Sequence, residues 1–259
     1  MTPPPRPQTE AGRVLVFQHH PLEDPGSLGP SLVDAGLSLV VVELDAGEVI
    51  PPLEPFDLLL AMGGPMDVWE EREHPWLIGE KAAIRRWVAE LGRPFLGVCL
   101  GHQLLAEALG GSVGAMAEPE IGVVDVELTD DGLADPLFAD VAPFLYGSPP
   151  SVPGLQWHGA EVTEPPPDAV ILARTARSAV QAIRVGPRAW GVQFHVEAGP
   201  STVPEWATVP EYARTLAAHF GSAAVLEADV ARHRAAMDAA ARGLVLGLLG
   251  TVLGTGVEA

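Results

Sequence analysis

The stretch that most limits what this chain can fold into is residues 93–111, RPFLGVCLGHQLLAEALGG. Phe95, Leu96 and Val98, with Gly97 between them, form a short apolar run suited to a buried strand. Leu104, Leu105, Ala108 and Leu109 then recur at the spacing of one helix face, and Gly110-Gly111 closes the pattern. A strand and a helix so close together leave a sharp turn at Cys99, the only cysteine in the chain. A residue there needs unusual backbone angles, and side chains beside it would strike neighbouring backbone. Gly97 and Gly101 meet that demand on either side. The N–H groups of the opening helix turn would stabilise a thiolate and lower the thiol pKa. A small buried cysteine at a strand end accounts for the same residue equally well.

Other elements alternate around this unit. Residues 13–17, 37–44 and 56–62 read as strands, 29–35 as a short helix, and 74–91 as a helix with Trp76, Leu77, Ala83, Ile84, Trp87, Val88 and Leu91 on its apolar face. The alternation predicts an α/β fold: an open, mostly parallel, doubly wound sheet with helices on both faces. Ligands of such sheets sit beyond the carboxyl ends of the strands, where Cys99 and Gly63-Gly64-Pro65 both fall. The second half reads differently. Residues 123–128, 170–173, 179–185 and 189–195 are short and β-rich, and antiparallel pairing is expected for several. Residues 212–220 and 223–249 read as helices. The expected organisation is a disordered lead-in over 1–12, a main domain over 13–221 and a C-terminal helical extension over 222–259.

Charge and cysteine content narrow the function classes. The formal net charge is −19, Lys81 is the only lysine and no basic cluster occurs, which argues against nucleic acid as a partner. One cysteine excludes an intrachain disulfide framework and fits a reducing compartment, hence a cytoplasmic location. The apolar stretch 243–254 is too short to span a bilayer, so no membrane association is expected. His19, His20, Glu23 and Asp24 follow the first strand, but their spacing matches no recognised metal-ligand pattern, so a solvated loop is expected there.

A cysteine nucleophile needs a base, and the base needs a partner to hold its tautomer. His195 and Glu197, in WGVQFHVE, lie two apart and share one face of a strand, so Glu197 could orient the His195 ring toward Cys99. A strand-end histidine beside a solvated glutamate is the alternative. Gly64, before Pro65, can bring a bare N–H close to a substrate oxygen, and the N–H of Leu100 is the natural second donor. Gly-Gly-Pro can equally be a plain turn.

The ordered set GGP, GVCLGHQ and GVQFHVE resembles the class I glutamine amidotransferases, closest to the amidotransferase domain of GMP synthase and its stand-alone relatives. The similarity covers roughly residues 13–221 and implies a flavodoxin-like sheet with short antiparallel additions. It implies a triad of Cys99, His195 and Glu197, oxyanion donors at Gly64 and Leu100, and substrate contacts from Gln103, His158 and Gly159. The family's substrate loop ends in aspartate where this chain has Ala160, in Trp157-His158-Gly159-Ala160. The implied reaction is cleavage of the γ-glutamyl amide of glutamine through a cysteine thioester, releasing ammonia and glutamate, with no metal or organic cofactor. Ammonia would pass to a separate synthetase or acceptor enzyme. One alternative is a γ-glutamyl peptidase acting on a small conjugate. The other is a catalytically silent protein that binds and regulates a partner.

Overall fold

The computed structural model describes residues 12–252. Nearly all of the expected lead-in lies outside them. In chain order, the first half runs β1 (Arg13–Gln18), α1 (Leu28–Asp34), β2 (Ser38–Glu43), β3 (Leu58–Ala61), α2 (Trp76–Arg85), β4 (Phe95–Val98) and α3 (Leu100–Ala108). The second half runs β5 (Ser112–Leu128), α4 (Asp130–Ala134), β6 (Ser151–Glu164), β7 (Val170–Arg174), β8 (Ala182–Val185), β9 (Ala189–Val192), α5 (Thr202–Trp206), α6 (Pro210–Phe220) and α7 (Ala223–Val252).

Among the described residues these strands form one sheet in the order β2-β1-β3-β4-β9-β8-β7-β5-β6. The pairings from β2 through β9 are parallel, and those from β9 outward are antiparallel. This is the mixed α/β, flavodoxin-like arrangement expected. The parallel strands are apolar on both faces because helices cover both. Val14, Val16, Leu58, Leu60, Leu96 and Val98 join one buried cluster. Leu15, Phe17, Leu59, Ala61 and Phe95 join the cluster on the other face.

Several boundaries depart from the sequence reading. The helix expected over 74–91 is α-helical only to Arg85 and continues as a π-helical turn over Arg86–Glu90, which buries Trp87 with its indole N–H on the Pro94 carbonyl, 2.8 Å. The antiparallel additions are longer than expected. β5 and β6 pair along most of their length, with register shifts between Ala115 and Glu120. Val113, Gly114 and Pro119 hide β5 from pattern reading, because a bulged ribbon held by its partner needs no strict alternation.

The stretch 243–254 also reads differently in place. It ends a 30-residue helix that is, by length and composition alone, long and apolar enough to cross a membrane. In the protein that apolar face is used internally. Ala240, Leu244, Val245, Leu248 and Leu249 belong to the same core cluster as β1 and β4. Gly243 and Gly247 let the helix rest on backbone: a Cβ at Gly247 would stand 2.4 Å from the Leu137 carbonyl oxygen. At the start of the helix the phase differs from expectation, with Val225 exposed and Leu226 buried.

Candidate active site

The carboxyl ends of β1, β3, β4 and β9 converge, and each releases a functional side chain there. Cys99 leaves β4 with φ 51° and ψ −104°, a strained setting for a residue with a side chain, and helix α3 begins at the next residue. The turn closes only because its neighbours are bare. A Cβ on Gly97 would lie 2.3 Å from the Gly101 carbonyl oxygen, and one on Gly101 would lie 2.0 Å from the Ala61 oxygen. The Cys99 N–H donates to the Val192 carbonyl, 2.9 Å, tying the turn to β9. Its thiol is buried.

His195 follows β9 and is fixed by its own N–H on the Leu155 carbonyl, 2.8 Å. Its ring is hydrogen-bonded to Cys99 on one side. On the other side Nδ1 meets Glu197 Oε1 at 2.7 Å, both groups being buried. The Trp206 indole packs edge-on against the ring, centroids 4.5 Å apart. Burial disfavours the imidazolium, but the Glu197 carboxylate, then Cys99, and hydrogen bonds to both hold His195 well above its ordinary value. The strand-face argument for His195 and Glu197 therefore describes their mutual geometry, although β9 itself ends at Val192.

In front of Cys99 lies a cavity of about 220 Å³, small beside the roughly 300–1,000 Å³ of drug-sized sites. Gly64, Cys99, Leu100, Gln103, His158 and Gly159 all line it. His195 and Glu197 are absent from this lining and stand behind the thiol. Gly64 packs directly on Leu100, since a Cβ there would come within 2.9 Å of Leu100 Cδ2. Gln103 uses both hydrogens of its amide inside the protein, donating to the Ala160 carbonyl (3.1 Å) and to Gln193 Oε1 (3.0 Å). Gln193 in turn points its Nε2 at Cys99 Sγ, 3.5 Å away. The segment 157–160, read as a loop, is part of strand β6. There His158 Nδ1 bonds the Ala160 carbonyl at 2.9 Å, and Nε2 stands 3.3 Å from Glu120.

The loop after β1 is not solvated as expected. His19 and Glu23 are 0% and 1% exposed, because the loop folds under α5 and α6 at the end of the sheet. His19 Nε2 bonds Glu80 Oε1 (2.9 Å), Nδ1 bonds the Gly63 carbonyl (3.0 Å), and the ring stacks on Trp76. Burial works against its charge, but Glu80 overrides it and raises the His19 pKa. Glu23 accepts the Tyr212 hydroxyl at 2.5 Å. Burial pushes its carboxyl up to about 7, against the pull of His195 and Tyr212. Glu23, His195 and Glu197 are the group of described residues whose potential metal-ligand atoms come within 4.8 Å of one another. His195 Nδ1 is, however, already engaged by Glu197. Sequence reasoning missed Glu23, Tyr212, Trp206 and Gln193. Only Gln193 carried a signal, since it lies inside GVQFHVE.

Comparison with known proteins agrees with this geometry. The family description "Glutamine amidotransferase class-I" matches residues 27–206. The chain is 39% identical over 155 residues to the glutamine-hydrolyzing GMP synthase of Aeropyrum pernix, covering 60% of this chain but only 26% of that enzyme. It is 35% identical over 157 residues to a separately encoded subunit of the glutamine-hydrolyzing GMP synthase of Saccharolobus solfataricus, covering 58% of this chain and 75% of that one. A crystal structure of a glutamine amidotransferase from Thermotoga maritima superposes with a TM-score of 0.77 at 28% identity, over 94% of this chain and 98% of that one. Since the family match takes in most of the chain, including the Cys99 turn and the His195–Glu197 pair behind it, this protein belongs to the class I glutamine amidotransferases.

Proposed function

We propose that this protein hydrolyses the γ-carboxamide of glutamine, with Cys99 as nucleophile and His195 and Glu197 completing the triad. The observation that carries this is a lone thiol in a strained strand–helix turn, hydrogen-bonded to a buried His–Glu pair and forming the floor of a small cavity. The Cys99 sulfur attacks the γ-carbon and forms a C–S bond. The N–H groups of Gly64 and Leu100 take the developing oxyanion. The C–N bond breaks as His195 gives its proton to the departing ammonia. His195 then removes a proton from water, which attacks the thioester and releases glutamate and the thiol. Gln193 supports the sulfur's negative charge through its Nε2. Gln103, whose N–H bonds are spent internally, offers the substrate only its carbonyl oxygen, an acceptor suited to an ammonium or amide N–H. His158 and Gly159 shape the wall.

The named relatives are GMP synthases, one of them a separate polypeptide of the synthase. By that analogy the ammonia goes to a separate acceptor enzyme, in the cytoplasm, where a lone reactive thiol stays reduced. One observation favours a second substrate class. Ala160, buried in the cavity wall, stands where the resembled family carries aspartate, which leaves a γ-glutamyl conjugate as the alternative.

The test is release of ammonia and glutamate from glutamine and from a set of γ-glutamyl amides, together with labelling by a glutamine-analogue electrophile. Hydrolysis and stoichiometric labelling at Cys99, both lost in Cys99→Ala, are expected. Full turnover by Cys99→Ala would overturn the mechanism. Wild-type protein that is neither labelled nor active would point to a silent binding protein.

A further inference from the structure

One buried acid beside the triad has no part in the reaction as derived above. Glu23 leaves the end of β1, remote in sequence from every motif of the site, yet its side chain reaches the same cluster as His195 and Glu197. Oε1 is held by the Tyr212 hydroxyl at 2.5 Å. Oε2 has no hydrogen-bond partner and is shut off from solvent, and the second oxygen of Glu197 is in the same condition. A buried carboxylate oxygen with no donor is costly unless a charge nearby compensates it. The nearest compensating charge is the His195 imidazolium. Gly63 makes room for the pair: a Cβ there would stand 2.4 Å from Glu23 Oε2 and 3.2 Å from His195 Cε1.

We propose that Glu23 is a positioning residue of the catalytic centre, a second carboxylate that stabilises the protonated His195 ring alongside Glu197 and is held in place by Tyr212. The proposal rests on the Cys99–His195 reading above. It gives Tyr212 a double role, because that side chain also lines the cavity in front of Cys99. The wall of the substrate site and the back of the triad are thus joined through one hydrogen bond.

The charged and titratable groups facing Glu23 come from every element around it. His195 and Glu197 lie beyond β9, Tyr212 is on α6, and His19 at the end of β1 is already paired with Glu80. Asp24 and Glu205 line the cleft that Glu23 and Glu197 share. His195 favours the ionised form of Glu23, while burial and Glu197 oppose it, so its charge comes into place near neutral pH. Below that pH Glu23 is neutral and lends the ring nothing. Above it, Glu23 delays loss of the ring proton.

The experiment follows the His195 ring directly, by NMR titration of protein labelled with 13C-histidine, its resonance assigned by its loss in His195→Asn. Wild type is compared with Glu23→Gln and Tyr212→Phe, and kcat/KM against pH is measured on the same samples. In Glu23→Gln the His195 midpoint falls by about one pH unit or more. The alkaline limb of kcat/KM moves down with it, and the acid limb stays in place. Tyr212→Phe moves the midpoint the same way by less, because loss of the hydroxyl keeps Glu23 protonated to higher pH. An unmoved midpoint in folded Glu23→Gln overturns the proposal. Should that variant fail to fold, an unmoved midpoint in Tyr212→Phe does so instead. If the wild type hydrolyses no γ-glutamyl compound, the functional reading fails while the ring titration still decides the role of Glu23.

Discussion

Replacing Glu197 by glutamine keeps the shape of the side chain and a hydrogen-bonding group but removes the charge that faces His195. The bond at stake is the 2.7 Å contact between His195 Nδ1 and Glu197 Oε1, with side chains only 1% and 5% exposed, so solvent screens it little. Hydrogen bonds to charged groups contribute about 1.5–3 kcal/mol. At 1.36 kcal/mol per tenfold in rate, that corresponds to a loss of about 10- to 150-fold in kcat/KM. Loss of His195 removes both the acid and the base step and costs about 10²–10⁴-fold. The double variant should be close to His195→Ala alone, because Glu197 acts only through the ring. The sign of the pH effect follows from the same contact. Glu197 raises the His195 pKa, so without its charge the imidazolium is lost at lower pH and the alkaline limb of kcat/KM shifts down. The assay is steady-state hydrolysis of whichever γ-glutamyl substrate is active, across pH, for both single variants and the double. A double variant that lost the product of the two single losses would show the residues acting independently, and the triad would be wrong.

Two further outcomes concern the scaffold. Gly101→Ala places a Cβ 2.0 Å from the Ala61 oxygen and 2.6 Å from its carbonyl carbon, both backbone, so α3 must move off β3. Overpacking of this kind costs about 1–3 kcal/mol or more, read as a Tm lower by about 2–4 °C per kcal/mol in a chain of this size. Wild-type Tm and activity in Gly101→Ala would contradict the close approach. Ending the chain after Gly221 removes Leu244, Val245 and Leu248 from the core. Each such side chain contributes about 1.5–3 kcal/mol by burial, a serious loss against the roughly 5–15 kcal/mol that holds a domain together. The shortened chain should be insoluble or lack a cooperative melt by circular dichroism. A soluble product melting with the full chain would show that α7 adds nothing.

The sequence by itself determined those features set by short-range sterics and periodicity. The Cys99 turn is one: Gly97 and Gly101 are where they are because adjoining backbone leaves no room for a Cβ, and those few residues declare the turn. The buried parallel strands are another, since near-continuous apolar runs have no other stable place in an α/β protein. The pairing of His195 with Glu197 was legible for the same local reason, two residues apart in an extended segment. The tertiary structure decided the rest. It alone made β5 and β6 long, through pairing with each other rather than through residue pattern. It turned the apparent loop 157–160 into a strand, set the phase of the first turn of α7, and drew His19 and Glu23 out of solvent. Tyr212 meets Glu23 across 189 residues of chain, and Gln193 meets Cys99 across 94. No spacing rule reports such meetings. A buried polar group takes whatever partner the packed fold brings within hydrogen-bond reach, and that partner's identity appears only once the strand ends have been assembled.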